Sequence, residues 1–121
     1  MAKKILLIDD DPHIVQLLKT RLVSSNYEVI TAHDGEDGLM KLKEVKPDLV
    51  ILDILMPKLD GYSFVLKMKE DESVLNIPVI MLTAKDNMRN LFEMEGVSGY
   101  MVKPFCGEDL LEKVGSVLAE K

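Results

Sequence analysis

Ile5-Leu6-Leu7-Ile8-Asp9-Asp10-Asp11-Pro12 is the stretch on which the fold turns. Four apolar residues with no polar alternation fit a strand covered on both faces, as in the interior of a parallel sheet. Three acidic residues end the run. Asp11-Pro12 then reads as a helix N-cap followed by proline at the first helical position, where a backbone N–H has no helical partner anyway. The same pattern returns twice: Leu49-Val50-Ile51-Leu52 runs into Asp53, and Val79-Ile80-Met81-Leu82 runs into Thr83. Two weaker strand candidates remain. Tyr27–Ala32 has Glu28 and Thr31 interleaved, and Gly99–Val102 is short; both suit the edges of a sheet.

Helical patterns fill the gaps. Ile14, Leu17, Leu18 and Leu22 recur at spacings of three and four and make one apolar face. Asp34-Gly35-Glu36-Asp37 opens a second helix that runs to about Val45, and Pro47 stops it. A third is expected from about Tyr62 to Glu70 and a short fourth from about Met88 to Glu95, ended by Gly96. The last carries Leu110, Leu111, Val114, Val117 and Leu118. Strands alternating with helices imply a mostly parallel sheet with helices on both faces and right-handed crossovers. With the three apolar runs central and the two weak strands outside, the expectation is an α/β, flavodoxin-like, doubly wound five-stranded parallel sheet in the order 2-1-3-4-5.

Composition limits what such a domain can do. The 121 residues suffice for one domain, expected to span 1–121. Hydrophobic residues make up 47% and charged residues 30%, which are globular proportions. A net charge of −6 argues against direct binding to nucleic acid or to an anionic membrane surface. The single cysteine, Cys106, rules out an internal disulfide, and no apolar run is long enough to span a bilayer. A soluble, cytoplasmic location is expected.

The chemistry gathers where the strands end. Parallel strands place their carboxyl ends on one rim, and ligands bind there at the point where strand order reverses, here between strands one and three. Asp9, Asp10 and Asp53 should crowd at that point. Carboxylates about 4 Å apart repel by roughly 1–4 kcal/mol per pair, depending on the local dielectric. Their pKa values must rise or a cation must neutralise them. Few all-oxygen ligands on a rim open to water suit Mg²⁺, which keeps several waters and often meets a phosphate. Lys103, after the fifth strand, adds a positive charge, and Thr83, after the fourth, adds a hydroxyl. Together they make a site for a phosphoryl group.

Taken singly, each residue has a plainer explanation. Asp9 and Asp10 suit a helix cap, Thr83 a turn, and Lys103 a solvated loop. It is the convergence of four strand ends on one chemistry that favours a site. His13 and His33 read as loop or first-turn residues, since neither has a partner at metal-ligand spacing. The eight methionines read as core and gap-filling residues, and Lys41, Lys43 and Lys46 as a solvated helix face.

Four segments carry a family resemblance: Ile5–Asp11 (ILLIDDD), Pro47–Gly61 (PDLVILDILMPKLDG), Pro78–Ala84 (PVIMLTA) and Tyr100–Phe105 (YMVKPF). In this order and spacing the chain resembles, along essentially its whole length, the receiver domain of two-component response regulators. The resemblance implies that Asp53 accepts a phosphoryl group from a sensor histidine kinase or phosphotransfer protein in a Mg²⁺-dependent reaction. It implies that Asp10, Asp53 and the backbone carbonyl of Leu55 bind the metal directly, and that Asp9 acts mainly through metal-bound water. Lys103 would pair with a phosphoryl oxygen and Thr83 would hydrogen-bond the attached group. Tyr100 would be an aromatic switch coupled to Thr83, and Ala84 would leave room for the phosphoryl. Pro57 and Gly61 would shape the loop after Asp53, and the Lys103-Pro104 bond would be cis. The domain would catalyse only its own modification, as part of a phosphorelay, and would signal to a downstream target protein or a fused output domain.

Three departures from the family pattern stand out. The stretch from Thr83 to Tyr100 is about two residues short, with Gly99 where an Asp is common, which implies a short or irregular fourth helix. Cys106 stands where an Asp often caps the last helix. Leu55 and Lys85 flank the expected path of attacking water. One alternative function is a phosphorylation-independent, receiver-like protein-binding module. Another, a haloacid-dehalogenase-type phosphohydrolase using Asp9-x-Asp11, is disfavoured because Pro12 follows at once and no acidic pair lies after the fourth strand. Flavin binding is disfavoured because no phosphate-cradling loop follows the first strand.

Overall fold

Residues that alternate between two apolar neighbourhoods have no polar face to show to water. The three apolar runs accordingly form the interior strands of the sheet. The computed structural model describes residues 2–53, 59–84, 97–103 and 105–119. Its elements are β1 (Lys4–Ile8), α1 (Pro12–Ser24), β2 (Glu28–Ala32), α2 (Gly35–Val45), β3 (Leu49–Asp53), α3 (Gly61–Lys69), β4 (Val79–Ala84), β5 (Gly99–Lys103) and a C-terminal helix α4 (Gly107–Ala119). All strand pairs are parallel and the order is β2-β1-β3-β4-β5, the flavodoxin-like arrangement expected from the sequence. The fourth helix expected over Met88–Glu95 lies outside the described residues.

Successive side chains on each central strand serve opposite faces. Leu6, Ile8, Val50, Leu52, Val79 and Met81 join Leu42 of α2 and Phe64, Val65 and Met68 of α3 in one buried cluster. Ile5, Leu7, Leu49, Ile51, Ile80 and Leu82 join Leu18 and Leu22 of α1 and Leu110, Val114 and Val117 of α4 in the other. Each fully buried side chain of this size contributes roughly 1.5–3 kcal/mol, so slipping any strand by one residue would cost several such contributions.

Helix starts follow the sequence signals. Asp11 caps α1 by accepting from the His13 N–H at 2.9 Å. Asp34 caps α2 through the Asp37 N–H at 2.8 Å, and Asp60 caps α3 through the Ser63 N–H at 2.8 Å. Tyr27 falls just outside β2; its N–H bonds the Leu22 carbonyl at 3.1 Å and closes the end of α1. Among the described residues, no helix is long and apolar enough to cross a membrane.

Candidate functional site

Register sets the site. Ile8 pairs with Leu52, so the chain leaves β1 at Asp9 beside the last residue of β3, Asp53. Asp53 pairs with Leu82, which brings Thr83 one step beyond it on β4. Lys103 ends β5 opposite Ala84. Asp9, Asp10 and Asp53 each offer a carboxylate oxygen, and these oxygens lie within 4.8 Å of one another. The Lys103 Nζ reaches Asp53 Oδ2 at 3.4 Å and Asp9 Oδ2 at 3.6 Å. The convergence read from the strand ends is therefore present for Asp9, Asp10, Asp53 and Lys103. Thr83 lies buried beside them.

The three carboxylates are not equivalent. Asp9 is only 1% exposed, Asp53 is buried at the rim, and Asp10 faces solvent. One oxygen of Asp9 accepts the Asp11 N–H at 3.0 Å. The other, Oδ2, is buried and has no hydrogen-bond partner among the described residues. Burial pushes the Asp9 carboxyl above its ordinary range. The Asp11 N–H pulls it down, Asp53 pushes it up, Lys103 pulls it down and Asp10 pushes it up. The upward influences win. An oxygen buried with no hydrogen-bond donor among the described residues, in a set of three carboxylates that faces Lys103, fits a small hard dication. The residues present thus suit Mg²⁺, with Asp9, Asp10 and Asp53 to hold it.

Tyr100 lies on β5 opposite Met81, half-buried, with its ring against the α2–α3 side of the core. It also lines an open cleft with Phe105, Asp109 and Glu112. Leu55, Pro57, Lys85 and Pro104 lie outside the described residues, as does the side chain of Ala84. Cys106 is exposed just ahead of α4, where its carbonyl accepts the Leu110 N–H at 3.2 Å. Beyond Lys103, an apolar cleft between α1 and α4 is lined by Ile14, Leu17, Leu18 and Phe105, with Arg21 at its edge.

Sequence reasoning missed one network beside the site. His33 bridges two carboxylates, with Nε2 at 3.4 Å from Asp34 and Nδ1 at 3.3 Å from Asp37. Lys41 is not part of a solvated face. It donates to the Thr31 carbonyl at 2.6 Å and pairs with Asp37 at 3.2 Å, tying α2 to the end of β2. The Asp37–Lys41 spacing of four residues was the available signal; the bond to β2 had none.

Comparison with known proteins places this geometry. The family model for the response regulator receiver domain matches residues 5–115. The alkaline phosphatase synthesis transcriptional regulatory protein PhoP of Bacillus subtilis is 42% identical over 120 residues, covering 98% of this chain and 49% of that protein. The chain thus spans about half the length of this and similar transcriptional regulators. Among solved structures, the chemotaxis response regulator CheY4 of Vibrio cholerae superposes with a TM-score of 0.91 at 33% identity, covering 97% of this chain and 99% of that one. The receiver domain of the sensor histidine kinase PA1611 of Pseudomonas aeruginosa superposes with a TM-score of 0.90 at 26% identity, covering 98% and 99%. That domain has a magnesium ion coordinated in its active-site cleft.

Proposed function

The chain belongs to the response regulator receiver domain family, and from that membership together with its acidic cluster we propose that it is a phosphorylation-dependent signalling switch whose acceptor is Asp53. An oxygen of the Asp53 carboxylate attacks the phosphorus of a phosphohistidine on a sensor histidine kinase or phosphotransfer protein. The P–N bond breaks, the donor imidazole leaves with its electron pair, and an acyl phosphate remains on Asp53. Lys103 already spans Asp53 and Asp9, so it can turn to a phosphoryl oxygen with little reorganisation. Mg²⁺, held by Asp9, Asp10, Asp53 and the Leu55 carbonyl, would neutralise charge on the phosphoryl oxygens. The Thr83 hydroxyl donates to the attached group, and Tyr100, two residues before the Val102 that pairs with Thr83, follows that movement.

The carrying observation is the meeting of Asp53, Asp9, Asp10 and Lys103 at one rim. Asp53 is the group modified in the reaction, so each domain takes up one phosphoryl group and is not a multiple-turnover enzyme. The apolar cleft that shares Lys103 offers a donor protein a surface beside the acceptor. Residues 1–121 form the switching unit, it works in the cytoplasm, and its output passes to a target protein or a fused output domain. The test is incubation with acetyl phosphate and Mg²⁺ followed by intact-mass measurement. Wild type should gain one phosphoryl group and Asp53→Asn none. Equal gain in both would move the acceptor elsewhere. No gain in a folded wild type would favour a phosphorylation-independent binding module.

A further inference from the structure

β2 is an outer strand of the sheet and pairs with β1 alone. Successive peptide groups along a strand point to opposite sides, so those of β2 divide into an inner and an outer set. The Asp9 N–H donates to the Ala32 carbonyl at 3.2 Å, and the Glu28 N–H donates to the Lys3 carbonyl at 2.9 Å. Glu28, Ile30 and Ala32 therefore face β1, and Val29 and Thr31 turn their peptide groups to the open edge. An edge of this kind is a template for another strand.

This edge carries a charge from a neighbouring element. The Lys41 Nζ, on α2, donates to the outward Thr31 carbonyl at 2.6 Å. Asp37, one helical turn earlier, pairs with the same ammonium at 3.2 Å, and His33 reaches Asp37 at 3.3 Å. The Lys41 side chain is 33% exposed, so water screens these contacts less than on an open surface. An incoming strand must displace the ammonium from both oxygens or bury it at the new ladder, and either is costly.

Another β2 matches this edge by symmetry. Val29 and Thr31 flank Ile30, so a two-fold axis at Ile30 sets Val29 of each copy opposite Thr31 of the other. These would be the hydrogen-bonded pairs of an antiparallel ladder. Each pair would aim the Val29 N–H at the Thr31 carbonyl that Lys41 occupies. Ile30 would meet Ile30 and Glu28 would meet Ala32, so no like charges would oppose each other along the strand.

We propose that Lys41 guards the open edge of β2 against strand addition by a second copy of this chain. This role is independent of Asp53 as the phosphoryl acceptor.

The test is Lys41→Met in the full chain, which keeps most of the apolar stem and the helix propensity and removes the charge. Sedimentation velocity over a wide concentration range reads association, and amide hydrogen exchange reads the surface used. Wild type should stay monomeric to the highest concentration reached. Lys41→Met should dimerise with a dissociation constant about tenfold or more below that concentration. The Val29 and Thr31 amides should gain protection in the dimer, while that of Ile30, already bonded to β1, should change little. Adding Thr31→Pro removes an outward N–H and leaves the bonds to β1 in place, since proline is tolerated on such an edge; the double variant should be monomeric. A monomeric Lys41→Met would overturn the proposal. So would association that survives Thr31→Pro or leaves Val29 and Thr31 unprotected, because another surface is then responsible. A wild type that already dimerises with both amides protected overturns it too. If Lys41→Met does not fold, Lys41→Gln removes the charge with a polar side chain; it should dimerise likewise, and a monomer there overturns the proposal.

Discussion

Replacing Asp9 by Asn sets the repulsion within the acidic cluster against the attraction of Lys103. The Asp9 side chain is buried, and its oxygens lie within 4.8 Å of those of Asp10 and Asp53. At an effective dielectric of about 20, each like-charge pair at that distance costs roughly 3.5 kcal/mol. Lys103 at 3.6 Å returns roughly 4.5 kcal/mol on the same scale. Two repulsions exceed one attraction by about 2 kcal/mol, and burial adds to the cost of the charge. Asp10 faces solvent, which screens its share, so a net of about 1–2 kcal/mol in favour of a neutral side chain remains. Asn keeps the oxygen that accepts the Asp11 N–H. For a domain of this size the melting temperature should rise by about 4–8 °C in Asp9→Asn at pH 7.5 with a chelator present. The gain depends on pH. Asp9 holds its proton more tightly in the folded than in the unfolded state. Wild type is therefore relatively favoured at low pH and loses that advantage as pH rises through the raised folded-state range. The benefit of Asp9→Asn should shrink as pH falls through the same window. Added Mg²⁺ should stabilise wild type more than the variant, because binding to the folded state adds to its stability. Differential scanning calorimetry across pH, with and without Mg²⁺, reads all three effects. If Asp9→Asn melts below wild type at pH 7.5 without metal, the Lys103 pair outweighs the repulsion and excess negative charge is not what prepares the site for a cation.

Two further substitutions test other parts of the structure. Lys103→Met removes the cation that reaches both Asp53 and Asp9; labelling by acetyl phosphate should slow on the order of 10²-fold, and a rate close to wild type would remove Lys103 from the mechanism. Asp34→Ala removes the buried cap of α2, which should cost about 1 kcal/mol and lower the melting temperature by roughly 4 °C; an unchanged melt would show that Asp37 and Lys41 hold the helix start without it.

The strand order was legible because runs such as Leu49–Leu52 are compatible only with burial on both faces, and helices between the strands leave parallel pairing as the outcome. The site was legible for a related reason: the residue that ends each parallel strand must lie on the same rim, so Asp53, Thr83 and Lys103 could be brought together before any distance was known. Three consecutive aspartates, by contrast, look alike as letters. Tertiary structure separates them: Asp9 turns inward beneath Lys103, Asp10 faces water, and Asp11 caps α1. Lys41 reads as a surface lysine until the end of β2 supplies the Thr31 carbonyl. Gly35 reads only as part of the stretch that opens a helix until the Leu59 backbone arrives against it. Local sequence determined which residues ended strands and began helices, since propensity, periodicity and caps act over a few residues. Which carboxylate is buried, and which glycine has no room for a side chain, was decided only when segments far apart in the chain packed on the same face of the sheet, because burial and steric exclusion are set by neighbours that local spacing does not encode.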